Sequence, residues 1–118
     1  MLTLSSDISI LVYMKPIDMR CSIDGLTIKV VTQLSAQPQS ETLFLFHNKS
    51  RDKVKGLLWH KNGFMMLYKR IEKLHFRFPK RFSEPQLCIT QAQLQGLLAG
   101  FDFVRMNDYQ DINFDYYF

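Results

Sequence analysis

Asn62-Gly63, set between two runs of strand-forming residues, is the strongest local instruction in this chain. Asn-Gly between β-like segments is the preferred two-residue hairpin loop, because both central positions of that turn need φ > 0 and these residues tolerate it. The flanks, 53–61 and 64–72, are then an antiparallel hairpin in which Lys61 faces Phe64. That register puts Lys53 opposite Glu72, Lys55 opposite Arg70, Leu57 opposite Tyr68 and Trp59 opposite Met66 on one face. The other face pairs Val54 with Ile71, Gly56 with Lys69, Leu58 with Leu67 and His60 with Met65. The second face is the more apolar and is the expected core face. The first mixes aromatic and cationic groups, and Lys55 facing Arg70 costs stability unless an anion relieves it, which makes it the expected binding face. A slip of one residue would exchange the two faces.

The other elements follow from periodicity and capping. The apolar, β-branched run 8–14 stops at Pro16 and predicts a first strand. Ile23, Leu26, Val30 and Leu34 recur at helical spacing, so a helix is expected over 22–35, with Ser22 as N-cap and Asp24 in its first turn. Residues 42–47 are a strand by composition. A short strand is expected over 75–79, with Phe76 and Phe78 on one side, His75 and Arg77 on the other, and Pro79 as its end. Thr90 and Gln93 have capping-box spacing, and Leu94, Leu97 and Leu98 with Gly100 as a stop predict a helix over 91–99. This order implies an α+β single domain, a mainly antiparallel sheet with two helices packed on one face. A chain of 118 residues has room for one core, taken as 1–105, followed by an acidic, aromatic C-terminal extension over 106–118 without clean periodicity.

Composition narrows the class. With 47% hydrophobic and 22% charged residues the chain resembles a globular protein and not a disordered one. No run approaches the roughly 18 apolar residues of a membrane span, and the first residues lack a basic stretch ahead of an apolar one. The expectation is a protein neither secreted nor membrane-inserted. Cys21 and Cys88 lie far apart without a Cys-x-x-Cys partner, which supports neither a disulfide framework nor a zinc knuckle and fits a reducing cytoplasm.

The net charge of +4 conceals an asymmetry. Between His47 and Arg81 lie eleven of the fifteen cations against only Asp52 and Glu72, a local +9, and the rest of the chain sums to −5. A basic block interleaved with Phe, Tyr and Trp is what phosphate contact combined with base stacking requires. The competing explanation is a solvated sheet edge whose cations guard against aggregation. Lys55 and Arg70 beside Tyr68 are the central candidates. Lys49, Arg51 and Lys53 form a loop-side rim, and Lys69 and Arg77 are further cations for phosphate. Trp59 is a candidate stacking platform, although a lone Trp is more often core. Lys69 and Arg70 are consecutive on a strand and therefore point to opposite faces.

Metal-assisted cleavage of a phosphodiester needs two or three converging carboxylates. Asp18, Asp24, Asp52 and Glu72 are the available set, and each has a structural alternative: a turn cap, a helix first turn, a flank among cations, and a cross-strand partner for Lys53. His47, His60 and His75 lack metal-ligand spacing, and Gly25, Gly63 and Gly100 fit turn or cap geometry, not a phosphate-binding loop. No catalytic residue, metal site or cofactor is expected.

From Asp18 onward the motifs resemble one family, the small accessory proteins often called TnpB, encoded by the second open reading frame of insertion sequences of the sixty-six class. Asp18-Met19-Arg20 followed by Asp24-Gly25-Leu26 looks like the family's opening motif, and Leu43-Phe44-Leu45-Phe46 like its strand before a basic loop. Arg51-Asp52-Lys53 with Lys55, then Leu58-Trp59, Gly63-Phe64 and Leu67-Tyr68-Lys69-Arg70-Ile71-Glu72, is similar to its most distinctive block. Phe76, Phe78-Pro79, Leu94, Leu97-Leu98 and Gly100 continue it. His60 stands where the family usually has an acidic residue, and Phe78 where it has Trp. The resemblance implies a role in bacterial DNA transposition beside a separate, larger transposase, with DNA and the transposase as partners and no membrane. It implies neither a transposase nor the unrelated RNA-guided nucleases that share the name. A protein–protein adaptor without DNA contact is the alternative.

Overall fold

Alternating side-chain direction along two central strands sets the architecture. The computed structural model describes residues 7–79 and 83–101, so the extension expected over 106–118 lies outside the described residues. In chain order the elements are β1 (Ser9–Tyr13), α1 (Ile23–Gln33), β2 (Thr42–His47), β3 (Lys53–His60), β4 (Gly63–Arg70), β5 (Gln86–Ile89) and α2 (Gln91–Leu98). They build one five-stranded sheet in the order β4-β3-β2-β1-β5. β1 and β2 pair in parallel across the α1 connection, and the other three pairings are antiparallel. The α+β class and the mainly antiparallel sheet are therefore as expected.

The two helices do not share a face. α1 lays Leu26 and Val30 against Tyr13, Phe44, Phe46 and Leu57, with Ile17 and Leu34 at the margin. α2 lays Leu94 and Leu97 against Ile10, Val12, Leu43, Leu45, Val54, Leu58, Phe76 and Ile89. Successive residues of a strand point to opposite sides, so a strand as uniformly apolar as Leu43 to Phe46 can bury all its side chains only when both sides are covered. That physical requirement overturns the one-face arrangement.

Both helices begin as their caps dictate. The Ser22 hydroxyl accepts a hydrogen bond from the Gly25 N–H at 3.4 Å. Thr90 Oγ1 accepts from the Gln93 N–H at 3.1 Å while Gln93 Oε1 accepts from the Thr90 N–H at 2.7 Å, a complete capping box. Gly100, at φ 86°, ends the second helix in the left-handed region that favours glycine.

The hairpin forms, but its loop is Lys61-Asn62, with His60 opposite Gly63 and Lys53 opposite Arg70. Each β3 residue thus faces the β4 residue two positions earlier than expected. A shift of two leaves every side chain on its assigned face. The gain lies in packing. Gly56 now faces Leu67, which with Leu43 and Leu45 of β2 fills the space a side chain would have taken, and Trp59 faces Phe64 with ring centroids 4.9 Å apart in an edge-to-face contact. In the expected register Lys69 would have faced Gly56. The cost is Lys61 at φ 55°, on the order of 1 kcal/mol for a non-glycine residue. Gly63 sits within β4, and Gly25 within α1, so neither serves a turn.

Two further differences concern short segments. Of residues 75–79 only Arg77 makes a strand bridge, although Phe76 is fully buried and Phe78 packs on the same core, as the alternation predicts. β5 pairs with β1, from Ile10 with Ile89 to Tyr13 with Gln86, and no sequence signal announces it. Four residues reading Gln-Leu-Cys-Ile carry too little pattern to be told from a loop.

Candidate nucleic-acid interface

Asn48 organises the basic end of the hairpin. Its side-chain Oδ1 accepts hydrogen bonds from the Asp52 and Lys53 N–H groups, each at 3.1 Å, and its Nδ2 donates to Asp52 Oδ1 at 2.6 Å. Arg51 closes this turn in the left-handed region, at φ 59°. The loop exposes Lys49 and Arg51, and the Arg51 carbonyl accepts from the Phe76 N–H at 2.7 Å, bringing the exposed Arg77 to the same end. Lys53 and Arg70, directly opposed, complete the group. Their repulsion is relieved inside the chain: Lys53 Nζ lies 3.4 Å from Asp52 Oδ2, and Arg70 Nε lies 2.8 Å from Glu72 Oε1. Glu72 is therefore the partner of Arg70 and not of Lys53. The hydrogen bond from Asn48 and, after it, Lys53 hold the Asp52 carboxyl below its ordinary pKa, so it stays ionised among the cations.

The middle of the hairpin carries Lys55 opposite Tyr68, not opposite Arg70. The Lys55 ammonium donates to the Cys21 carbonyl at 2.9 Å and stands 5.9 Å from the Tyr68 ring centroid. It is thus tied to the start of α1 and leans over an aromatic face. α1 covers this side of the sheet only as far as Leu57, which is fully buried. Beyond it β4 is open, with Tyr68 53% and Met66 39% exposed. From Lys53 to Ile71 the sequence contains five cations and no carboxylate. Trp59, half-buried against Phe64, lies at the far end, six residues and about 20 Å along the strand from Lys53. The structure gathers Lys49, Arg51, Lys53, Arg70 and Arg77 at one end, sets Lys55 and Tyr68 in the middle, and leaves Trp59 apart.

Lys69 faces the other way, as consecutive strand residues must, and donates to the Leu98 carbonyl at 2.7 Å. A cation at the C-terminal end of α2 complements the helix dipole where the helix itself has no basic residue in its last turn. Asp18 and Arg20 form an exposed two-residue clamp, with Arg20 Nε at 3.1 Å from both carboxylate oxygens and Nη2 at 2.6 Å from Oδ2. Those bonds lower the Asp18 pKa to about 2. Asp24 lies exposed in the first turn of α1. Among the described residues no three His, Cys, Asp or Glu side chains come together as a metal site would need. Asn48 escaped the sequence reading, and an Asn just before a basic loop is the signal that marks it, since Asn side chains cap turns of this kind.

Residues 8–108 match the sequence profile described as IS66 Orf2-like protein, which spans most of the chain. The chain belongs to the IS66 Orf2-like family. Membership ties it to insertion sequences and to transposition as an accessory protein, as the motif resemblance implied. An IS66 Orf2-like chain of this length has a relative in Sinorhizobium fredii (strain NBRC 101917 / NGR234), named uncharacterized protein y4jC, which is 28% identical over 102 residues, 86% of each chain. No solved structure matches. Among the described residues no helix is long and apolar enough to cross a membrane.

Proposed function

We propose that this accessory protein binds DNA through the open outer face of the β3–β4 hairpin and the 48–52 loop, and thereby assists a separate transposase in the bacterial cytoplasm. One observation carries the reading. Tyr68 stands exposed beside Lys55 and Arg70, with the exposed Met66 next to it on the same face, on a hairpin whose strands hold no carboxylate. An exposed aromatic ring flanked by cations offers a base a stacking surface and the phosphate backbone a counter-charge at once. Lys49, Arg51 and Arg77 extend the positive rim, and such contacts position a nucleic acid without reading its sequence. A second reading, docking onto a protein, is favoured by α1, where Ile28 and Val31 are 61% and 54% exposed one turn apart.

Fluorescence anisotropy with labelled duplex and single-stranded DNA over a salt series tests the proposal. The wild-type protein should bind in a salt-sensitive manner, and an Arg51→Ala/Arg70→Ala variant should reduce the salt slope by about two, close to one for each phosphate that is no longer neutralised. Tyr68→Ala should weaken single-strand binding about tenfold, near the lower end of the energy of one stacked base. A folded sample that binds no DNA at low salt would overturn the proposal in favour of the docking reading.

A further inference from the structure

β4 is an edge of the sheet, and its free side is specific. The Ile71 N–H donates to the Asp52 carbonyl, and the closing pair His60–Gly63 flanks a two-residue loop, so the odd-numbered residues of β4 bond to β3. The N–H and C=O groups of Phe64, Met66, Tyr68 and Arg70 therefore point away from the sheet, and no strand among the described residues lies beyond them. An eight-residue edge with exposed apolar side chains is a template for one more strand.

The chain leaves α2 beside this edge. Lys69 reaches the Leu98 carbonyl, and Gly100 comes so near the hairpin's end that an added methyl would stand 3.4 Å from Ile71 Cδ1 and 3.2 Å from Leu74 Cδ1. Seventeen residues follow Phe101. Extended, they reach about 55 Å, whereas β4 is about 27 Å long. They hold Asp102, Asp108, Asp111 and Asp115 against the single cation Arg105, and the hairpin they would meet has five cations and no acid. Ile112, Phe114 and Tyr116 alternate with Asp111, Asn113 and Asp115, the period of a strand with one apolar and one polar side.

We propose that residues 102–118 dock along the free edge of β4 in the same molecule, as a sixth strand antiparallel to it. The acidic side chains then fall on the side of Arg70 and Lys55, and the apolar ones extend the opposite side, that of Met65, Leu67 and Ile71. A strand in that place sets its carboxylates beside the face proposed above for DNA, which makes the tail a competitor of nucleic acid. The docking itself does not depend on that reading.

Amide hydrogen exchange of the full-length protein, residue by residue and without DNA, tests it. In the wild type the outward amides of Phe64, Met66, Tyr68 and Arg70 should exchange at least about tenfold more slowly than in an Ile112→Pro/Asn113→Pro variant, with Met65, Leu67 and Lys69 alike in both. Adjacent prolines remove a strand donor whichever edge it faces. A charge-reversed Asp108→Lys/Asp111→Lys/Asp115→Lys variant should lose the protection too. Outward amides that exchange equally fast in all three proteins would overturn the proposal. So would protection that rises with protein concentration together with a dimer mass in light scattering, because the edge would then belong to a second copy. Since no nucleic acid enters the measurement, its failure and a failure of DNA binding are read separately.

Discussion

His47 joins three segments at a single buried ring. It is 4% exposed, stacks on Phe78 with centroids 4.0 Å apart, and places Nε2 3.0 Å from the Met14 carbonyl at the end of β1. Burial, the largest influence, pushes its pKa below the ordinary value of 6.5. The unfolded chain therefore binds this proton at a higher pH than the folded one does, and the protein loses stability as pH falls below about 6.5, by up to about 1.4 kcal/mol per unit. Thermal unfolding from pH 7.5 to 5 should show this decline, and His47→Gln should flatten it. Asp18 acts in a different range, because its folded pKa of about 2 means that its contribution is lost only as the medium falls below about pH 4. Gly25 is the second informative residue. A methyl there would stand 2.5 Å from Cys21 Sγ, the end of a side chain that must turn aside, so Gly25→Ala should gain less in the wild type than helix propensity alone supplies. In a Cys21→Ala background that contact is gone, and the same change should stabilise by about 0.5–1 kcal/mol through helix propensity, a larger gain than in the wild type that denaturant titration would reveal.

Between elements, the hairpin register decides which charges meet. Expected and observed registers differ by two positions, and both keep Lys53, Lys55, Leu57 and Trp59 on the side of Phe64, Met66, Tyr68 and Arg70. Face composition was therefore legible from the alternation of residues alone, and the pairing was not. Turn preference argued for Asn62-Gly63, but the fit of Leu67 over Gly56 and of Phe64 against Trp59 outweighs one strained residue at Lys61. Cysteine pairs make the distinction measurable. Lys53→Cys/Arg70→Cys places two thiols at a non-hydrogen-bonded pair, with Cα atoms about 4.5 Å apart, and should oxidise to an intramolecular disulfide. Lys53→Cys/Glu72→Cys, which the other register would bring together, should not. Mass spectrometry of the oxidised proteins reads the difference.

For the whole molecule, the sheet with a helix on each side explains where a partner can approach. α1 and α2 seal β1, β2 and the inner part of β3, and the outer hairpin emerges with the exposed Tyr68, Lys69 and Arg70. The charge asymmetry thus becomes a spatial one, with the basic loop at one end of the hairpin and the chain's departure toward its acidic residues beside the same strand. Lys55 shows how tertiary context reassigns a residue. Although it is among the central candidates for phosphate, its ammonium is already engaged by the Cys21 carbonyl, whereas Arg51, placed at the rim, stands exposed. The salt-series measurement is accordingly better directed at Arg51 and Arg70 than at Lys55.

By itself the sequence determined the two helices and their caps, the strands of the hairpin and β2, the α+β class, the side of the hairpin on which each residue lies, and the family. Those properties rest on local periodicity, on capping chemistry and on motif order, all of which are written along the chain. Only the tertiary structure decided that the helices take opposite faces, that β1 and β2 run parallel, that β5 closes the far edge, and that Glu72 serves Arg70. Each of these depends on which surfaces meet across long sequence separations. There, packing of large apolar groups competes with turn and charge preferences of comparable size, and the balance is set by the assembled core.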